Sequence, residues 1–408
     1  MDFAEALTAA MDSRGVGVRE LARRVPCNAG YISQLRHGRK QPSPELAAKL
    51  DELLGADGAL AALGEDEPPG KGISAGRLAL ATARGDLAAT TELIRRLRAS
   101  DVDTATLEAL AGTTDTLCMQ YAYRRPAELR SETQQWLSYV GKLLGERVGL
   151  REHRELLVTA GWLTLLTGCL EYDSGRAAAA EATRISAFHL GREAGHAEIV
   201  AWSMEMAAWF AHTRHDLQAT VTYARAGQEA ARGASVAVQL VAHEARALGR
   251  MGDKRAVGEA LERGHNLLQQ LAPVGNPLNH FVVDPAKFDF YAMDCYRVVG
   301  DNDRAAEHAH EVLRGARGPD GKDLAPMRMA EARVALGVIS ARAGDLEQAA
   351  DYGAQAFRAD RKCLPSLLLV AGELDTEIRQ RYPGEQPARE FHEQLTALRR
   401  TAQRVRSN

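Results

Sequence analysis

Basic side chains are concentrated between residues 19 and 40. This stretch holds six lysines and arginines and one acid, Glu20, whereas the whole chain has a formal net charge of −3. The six cations are Arg19, Arg23, Arg24, Arg36, Arg39 and Lys40. A local excess of this kind attracts a phosphate backbone, because each contact releases condensed counterions. The stretch therefore predicts a contact with nucleic acid, although the chain as a whole is not basic.

No combination of residues in the sequence favours catalysis or a metal centre. It contains neither an HExxH pair nor a GxxxxGK[ST] phosphate loop. His308 and His310 are two residues apart on an expected helix, where such side chains point in different directions. The five cysteines are dispersed without a CxxC pair, which is typical of reduced thiols rather than disulfides or zinc ligands. We therefore expect no enzymatic activity, no cofactor and no metal.

Nothing in the sequence predicts export or membrane insertion. Asp2 and Glu5 precede any apolar run, which is not the pattern of a signal peptide. No stretch approaches the roughly 20 apolar residues that a membrane-spanning helix requires. We therefore expect a cytoplasmic protein with no membrane partner.

Apolar spacing predicts two short helices within the basic stretch. The first begins at Val18 and ends before Pro26, because proline lacks an amide hydrogen and clashes with the preceding turn. Asn28 is a favourable cap for the second helix, in which Ile32 and Leu35 point inward. The side chains left on the outside of the second helix are Ala29, Gly30, Ser33, Gln34 and Arg36.

The pattern from Phe3 to Leu63 resembles the helix-turn-helix of phage-repressor and XRE-like regulators. The matching residues are Glu20-Leu21-Ala22, Tyr31-Ile32-Ser33, Leu35, Gly38-Arg39-Lys40, Pro42 and Ser43-Pro44-Glu45-Leu46. The resemblance implies that the second helix enters the DNA major groove with its first residues against base edges. The residues that would then face bases are Ala29, Gly30, Ser33 and Gln34. The residues that would lie nearer phosphates are Arg19, Asn28, Tyr31, Arg36, Arg39 and Lys40.

Two of the base-facing positions carry small residues. Ala29 can touch a thymine methyl group, but neither Ala29 nor Gly30 can read a donor and acceptor pair. Direct readout must then rest on Gln34 and Ser33, with Asn28 or Arg36 as further contributors, and partly on DNA shape. The alternative is a small helical domain whose arginines form only a solvated face.

Length and composition predict more than one folded unit. The chain has 408 residues, of which 45% are hydrophobic and 26% charged, as is ordinary for globular proteins. Residues 64–76, GEDEPPGKGISAG, combine paired prolines, glycines and charges of both signs, which is typical of a linker. We therefore predict a DNA-binding domain at 1–63, a linker at 64–76 and a helical domain at 77–408.

From residue 77 onward alanine, leucine, arginine and glutamate dominate, and alternating β-branched runs are missing, so the sequence predicts an all-α fold. An aspartate recurs after a small or polar residue and before an alanine-rich segment. The first residue would end one helix in a left-handed conformation and the aspartate would cap the next. The pattern occurs at Gly85-Asp86-Leu87, His215-Asp216-Leu217, Gly252-Asp253-Lys254, Gly300-Asp301-Asn302 and Gly344-Asp345-Leu346, and more loosely at Tyr172-Asp173.

Segments of this kind are helix hairpins, and the last of them resembles a tetratricopeptide repeat. The resemblance rests on Leu336-Gly337, Ala349 and Ala356, where small residues would let paired helices approach closely. It implies a superhelical array whose concave side is lined by the first helix of each pair. Residues 272–289 interrupt the array with three prolines, and an insertion of this length indicates a contact with a ligand or partner, or a packed loop.

Side chains of the first helices are candidates for ligand binding. One stripe, at steps of three and four residues, holds Trp202, Glu205, Trp209 and His212. Aromatic surfaces beside a carboxylate suit a peptide or a small amphipathic ligand. Other first helices add His243, Arg246, Tyr291 and Asp294. The alternative is that the tryptophans fill the core and the charges form a solvated face.

The two parts together resemble the peptide-responsive regulators of Gram-positive bacteria and large regulators common in actinobacteria. The resemblance implies a homodimer whose two heads read paired half-sites in double-stranded DNA. It also implies a signal, a peptide or small molecule, that binds the helical domain. Our hypothesis for the mechanism is that the signal changes the curvature of the superhelix and hence the head spacing of about 34 Å or a multiple. A competing hypothesis is a protein interaction scaffold or adaptor with vestigial DNA binding.

Overall fold

The computed structural model describes residues 2–25, 27, 29–65, 102–146, 148–231, 233–271, 276, 278–318 and 321–407. Over these ranges the chain forms 19 α-helices and no β-strand, apart from an isolated bridge between Arg317 and Asp323. The chain divides into two compact units, residues 1–74 and 75–408. The predicted all-α fold is confirmed. From residue 66 on, the predicted linker lies outside the described residues.

The described part of the N-terminal unit, up to residue 65, contains five short helices. They are α1 (Phe3–Arg14), α2 (Val18–Arg24), α3 (Ala29–Arg36), α4 (Pro44–Leu54) and α5 (Ala59–Glu65). Asp2 and Glu5 form a capping box that starts α1. Ser43 caps α4, and Pro44 occupies its first position, where no amide hydrogen is needed. The core that holds these helices together is built around Leu7, Met11, Leu21, Ile32, Leu35, Leu50 and Leu54.

The turn between α2 and α3 and the end of α3 follow the predicted chemistry where they are described. Pro26 and Asn28, the predicted helix stop and cap, lie outside the described residues. Gly38 adopts a left-handed φ of 67° after α3, as its place at the helix end requires. The Arg39 amide then donates to the Gln34 carbonyl oxygen at 2.9 Å, which satisfies one of the last carbonyls of the helix.

The second unit is a run of fourteen described helices. They are α6 (Thr104–Gln120), α7 (Pro126–Leu144), α8 (Leu150–Asp173), α9 (Ala177–Glu193), α10 (Ala197–Thr213), α11 (Leu217–Ala230), α12 (Val236–Arg250), α13 (Lys254–Gln270), α14 (Pro285–Val299), α15 (Asn302–Gly315), α16 (Pro326–Ala343), α17 (Leu346–Phe357), α18 (Leu364–Arg381) and α19 (Gln386–Ser407).

The recurrent aspartates cap helices as predicted. His215, Gly252, Gly300 and Gly344 all have φ between 60° and 97°, which turns the chain out of one helix. The next residue in each case accepts a hydrogen bond from the backbone amide three positions on, and these residues are Asp216, Asp253, Asp301 and Asp345. The prediction is confirmed at these four hairpins, whereas Gly85-Asp86-Leu87 lies outside the described residues.

The looser case at Tyr172-Asp173 does not follow this pattern. α8 continues through Asp173, whose side chain is buried and accepts a hydrogen bond from Nη2 of Arg361 at 2.5 Å. Asp173 therefore ties α8 to the segment before α18 rather than capping α9. Sequence spacing alone could not distinguish the two roles, because the partner is 188 positions away.

Successive hairpins pack through one row of helices. α8 contacts α10, α10 contacts α12, and the row continues through α14 and α16 to α18. α18 also contacts α8 and α10, so the last helix of the row returns to its first members. Small residues bring the paired helices close, since a Cβ on Gly337 would lie 3.0 Å from the Ala349 carbonyl oxygen. The predicted close approach at Gly337 and Ala349 is thus confirmed.

Candidate nucleic-acid interface and internal cavity

Helix α3 is anchored by its inward side chains, as predicted. Ile32 and Leu35 are fully buried, and α3 packs against α1 and α2. Gly30 is exposed, while Ser33 and Gln34 are half-buried, so the first turns of α3 keep one side accessible. The side chain of Arg19 and residue Asn28, both predicted to contact phosphates, lie outside what the structure describes.

The end of α3 presents unneutralised positive charge. Arg39 and Lys40 are exposed, and no acid of the described residues lies within 4 Å of either one. The Lys40 ammonium lies 5.3 Å from the centre of the Tyr31 ring, whose hydroxyl donates to the Gln41 carbonyl oxygen at 3.3 Å. Tyr31 thereby holds the loop after α3 against the helix, and the two cations remain free to pair with phosphates.

Two further cations of this region, Arg24 and Arg36, have acidic neighbours. Arg36 lies 3.5 Å from Asp12 of α1, with about a third of its side chain exposed. Arg24 pairs with Glu20 one turn earlier in α2. Both pairs are solvent-accessible and are therefore weak, so a phosphate can compete for these arginines.

The comparisons with known proteins address this unit. Residues 2–63 match the model of a helix-turn-helix domain family. They form a helix-turn-helix DNA-binding domain. No curated protein matches the chain. The match covers α1 to α4 and the greater part of α5, and α2 and α3 are the two consecutive short helices joined by a tight turn within it.

Outside the helix-turn-helix domain, the second unit encloses a polar cavity. It has a volume of about 120 Å³ and is partly enclosed by the helix row α10, α12, α14, α16 and α18. Five of the predicted ligand-binding residues line it: Glu205, Trp209, His243, Arg246 and Tyr291. Side chains from the first helices of several hairpins therefore line one common cavity. That space is a partly enclosed cavity rather than the open concave groove that the sequence predicted, because α18 returns to α8 and α10.

The other three predicted ligand-binding residues do not line the cavity. Trp202 and His212 are fully buried in the core, and Asp294 is buried among arginines. Trp202 fills the core, as the alternative predicted, and Trp209 is partly buried and packs against the same core. Trp209 lines the cavity, and its Nε1 donates to Oγ of Ser366 at 2.9 Å. Helical spacing placed these side chains on one stripe but could not say which part of it a neighbouring helix covers.

Glu205 is held by two donors from α12. Its Oε1 accepts a hydrogen bond from Nε2 of Gln239 at 2.6 Å and lies 2.8 Å from Nε2 of His243. All three side chains are at least 95% buried. One oxygen of the Glu205 carboxylate, Oε1, is therefore satisfied within the wall of the cavity.

A buried ion network lies behind the wall. Asp294 of α14 accepts from Arg246 at 2.7 Å, from Arg250 at 2.8 Å and from Arg297 at 2.5 Å. Glu373 of α18 pairs with Arg250 at 2.9 Å and with Arg297 at 2.5 Å. Burial opposes ionisation of Asp294, but the three arginines hold its pKa well below the usual range. The network joins α12, α14 and α18 through charges that would be costly to separate.

The insertion predicted at residues 272–289 closes one side of the cavity. Leu278, Asn279, His280, Val282 and Lys287 all line it. Nδ2 of Asn279 donates to Asp115 of α6 at 2.5 Å, and the His280 amide donates to the Cys118 carbonyl oxygen. The segment is therefore a packed wall, and residues 272–275 and 277 lie outside the described part of the chain.

Sequence reasoning missed the charged residues that the insertion and α16 bring to the cavity. Lys287 donates through Nζ to the carbonyl oxygens of His280 at 2.5 Å and Val282 at 3.2 Å. Burial lowers the pKa of Lys287 to about 8. Arg328 and Glu331 of α16 also line the cavity. The sequence offered one indication that Arg328 and Glu331 would line the cavity, which is that they lie at the first helix of the last predicted hairpin.

Two further findings concern metals and membranes. Within the described ranges, no group of three or more histidine, cysteine, aspartate or glutamate side chains is placed to hold a metal ion. In the same ranges, no helix combines the length and apolarity needed to cross a membrane. All five cysteines are free thiols.

Proposed function

We propose that the protein is a sequence-specific transcriptional regulator of the XRE-like type. The observation that carries this proposal is the exposed beginning of α3 beside the free cations Arg39 and Lys40, within a helix-turn-helix DNA-binding domain. Cations at the helix end fix the protein on the phosphate backbone, and the accessible side of α3 then faces base edges.

Within α3, we assign base contact and phosphate contact to different residues. Gln34 carries the only long side chain with both a donor and an acceptor among the base-facing positions, and Ser33 supplies a hydroxyl. Ala29 and Gly30 allow close approach of the helix to the bases. Arg39 and Lys40 neutralise phosphates and set the register on the duplex.

We further propose that the helical-repeat unit dimerises the protein and senses a signal. A single head makes too few contacts for tight specific binding, whereas two heads on paired half-sites double them. We assign residues 1–63 to DNA binding, 64–76 to the linker and 77–408 to a tetratricopeptide-like unit for dimerisation and sensing. The action is cytoplasmic and involves no catalysis.

The cavity supports the sensing role. A signal molecule bound between α10, α12, α14 and α16 contacts hairpins that are joined in one row, so it can favour one curvature of the row. A preference of about 1.4 kcal/mol for one curvature is sufficient for a tenfold change in DNA affinity. An equal affinity for both curvatures would leave DNA binding unchanged.

The decisive experiment is selection of genomic fragments with the purified full-length protein at about 0.15 M salt, near physiological ionic strength. We expect a paired, pseudo-palindromic motif whose half-sites are separated by about one helical turn or a multiple. Weak binding without preference among sequences would reject the regulator and favour a scaffold whose helical unit captures other proteins.

Substitutions in α3 and in the loop that follows it test the assignment of roles. Gln34→Ala should relax preference at one base position by about 1 to 3 kcal/mol. Arg39→Ala should weaken all sites alike and reduce the slope of log affinity against log salt by about one. Lys49→Ala, an exposed cation of α4, is the matched control. Identical behaviour of the Gln34 and Arg39 variants in titrations against matched and mismatched sites would contradict the assignment.

A further inference from the structure

Two charged side chains of α16 reach the cavity without a partner. Arg328 and Glu331 are one helical turn apart and both line it. Throughout the described residues, neither forms a hydrogen bond or an ion pair within 4 Å, not even with the other. Glu331 is 7% exposed. The cavity therefore contains a cation and a carboxyl group whose polar atoms are available to a ligand.

Arg328 differs in this respect from three buried arginines of α12 and α14 that lie near the cavity. Arg246, Arg250 and Arg297 each have a carboxylate within 3 Å. Burial lowers the pKa of Arg328, and Asp284 raises it only from a distance. A guanidinium has five donors in a planar fork that matches a carboxylate. Arg328 is half-buried and, within the described residues, has no carboxylate paired with it, so its donors are available to an anion that enters the cavity.

The other polar groups of the lining support an anion rather than a cation. Lys287 adds a second positive charge, and its ammonium has a third donor beyond the two that bind backbone carbonyls. One oxygen of the Glu205 carboxylate, Oε1, accepts from Gln239 and lies beside Nε2 of His243, which offsets part of its negative charge. An incoming anion therefore meets two cations, Arg328 and Lys287, against one carboxylate whose charge is partly offset.

Glu331 is compatible with an anion because it can carry a proton. Burial raises the pKa of Glu331 to about 7, so near neutral pH a large fraction is protonated and can donate a hydrogen bond to a carboxylate. The charged groups that act on it belong to α12 and α14, and they are Arg246, Arg250, Asp294 and Arg297.

The rest of the lining is apolar and limits the size of the occupant. Trp209, Phe290, Tyr291 and Met327 provide aromatic and thioether surface. A volume of about 120 Å³ has room for a small molecule. The lining therefore suits a compact molecule with one anionic end and an apolar body.

We propose that this cavity binds a small organic acid, whose carboxylate pairs with Arg328 and Lys287 and whose apolar body packs against Trp209 and Tyr291. This assignment rests on the proposed sensing function and gives its signal a chemical class. It places the anion between α14 and α16, so that an occupied cavity ties these two hairpins together.

The test uses the full-length protein and pairs of probes that differ in charge alone. Phenylacetate, indole-3-acetate and octanoate are each compared with the corresponding amide, and 2-phenylethylamine is the cationic counterpart. Binding is followed by isothermal titration calorimetry and by the shift of the thermal unfolding midpoint. We expect at least one acid to bind ten times or more tightly than its amide and the amine not to bind. If no acid exceeds its amide, or if the amine binds best, the proposal is overturned.

Substitution of Arg328 locates the bound acid. Arg328→Gln should lower the affinity for the acid at least tenfold, whereas Arg333→Gln, on the same helix but outside the cavity lining, should leave it unchanged. Undiminished binding by a folded Arg328→Gln protein would overturn the site. The comparison of acid and amide needs no variant, so it decides the question even if Arg328→Gln does not fold.

The outcome is separable from that of the proposed function. Genomic selection with the same preparation reports DNA recognition independently of any probe. If the protein selects a paired DNA motif but binds no acid, the ligand assignment is rejected and the proposed regulatory function is retained. Acid binding without sequence preference in DNA supports the site and rejects the regulator.

Discussion

Replacement of Glu331 with glutamine should reduce the fall in the free energy of unfolding that accompanies a rise in pH. Burial raises the pKa of Glu331 from 4.5 to about 7, and Arg246 opposes this shift only in part. The folded chain therefore keeps a proton that the unfolded chain releases between these two pH values. Since the folded state binds more protons over this range, the free energy of unfolding falls as pH increases from about 4.5 to about 7.

The size of the effect follows from the shift in pKa. A difference of 4.5 against about 7 corresponds to about 3 kcal/mol, because each pKa unit is worth about 1.4 kcal/mol. Between pH 5 and pH 8 the contribution of Glu331 to the free energy of unfolding should fall by about 2 to 3 kcal/mol. Glutamine has nearly the same shape and no charge at any pH. The Glu331→Gln protein should therefore lose less stability than the wild type over this range, by the same amount.

Urea denaturation at pH 5, 6.5 and 8 measures this difference. All four tryptophans, Trp136, Trp162, Trp202 and Trp209, belong to the helical-repeat unit, so their fluorescence reports its unfolding alone. Glu393→Gln, an exposed position of α19, controls for a general loss of negative charge. Parallel pH profiles for wild type and Glu331→Gln would refute the reasoning, because the carboxyl would then titrate alike in the folded and unfolded chain.

Two further substitutions test packing in the same unit with the same urea assay. Asp294→Asn should destabilise it by about 3 to 5 kcal/mol, since it leaves three buried arginines without their common carboxylate; a change below 1 kcal/mol would mean that solvent or Glu373 compensates. Gly353→Ala should cost about 1 to 3 kcal/mol, because a Cβ there would overlap the ring of Phe391. Gly258→Ala, with nothing within 4 Å of its added Cβ, is the control and should not destabilise.

The helix-turn-helix domain could be predicted from sequence in most respects because its determinants are local. The apolar residues Ile32 and Leu35 point inward at i and i+3, and Gly38 ends the helix within the same short stretch. The aspartate caps after His215, Gly252, Gly300 and Gly344 were equally predictable, since a cap bonds an amide three positions away.

The interior of the helical-repeat unit could be predicted only in part. The periodicity of α10 identified Glu205 and Trp209 as members of one stripe with Trp202 and His212. The periodicity could not show that Trp202 and His212 are covered by a neighbouring helix, because that depends on how the hairpins stack. Asp173 was misread for the same reason, since its partner Arg361 is 188 positions away.

The sequence by itself determined the elements and the DNA-reading head, because helix periods, caps and the basic stretch act over a few residues. Only the tertiary structure decided that the hairpin row returns on itself, so that α18 contacts α8 and α10. That closure turns a predicted groove into a cavity and pairs Arg250 with Glu373, 123 positions away. It also leaves Arg328 and Glu331 at the cavity without partners, and whether a buried charge finds a counterion depends on distances that no local pattern encodes.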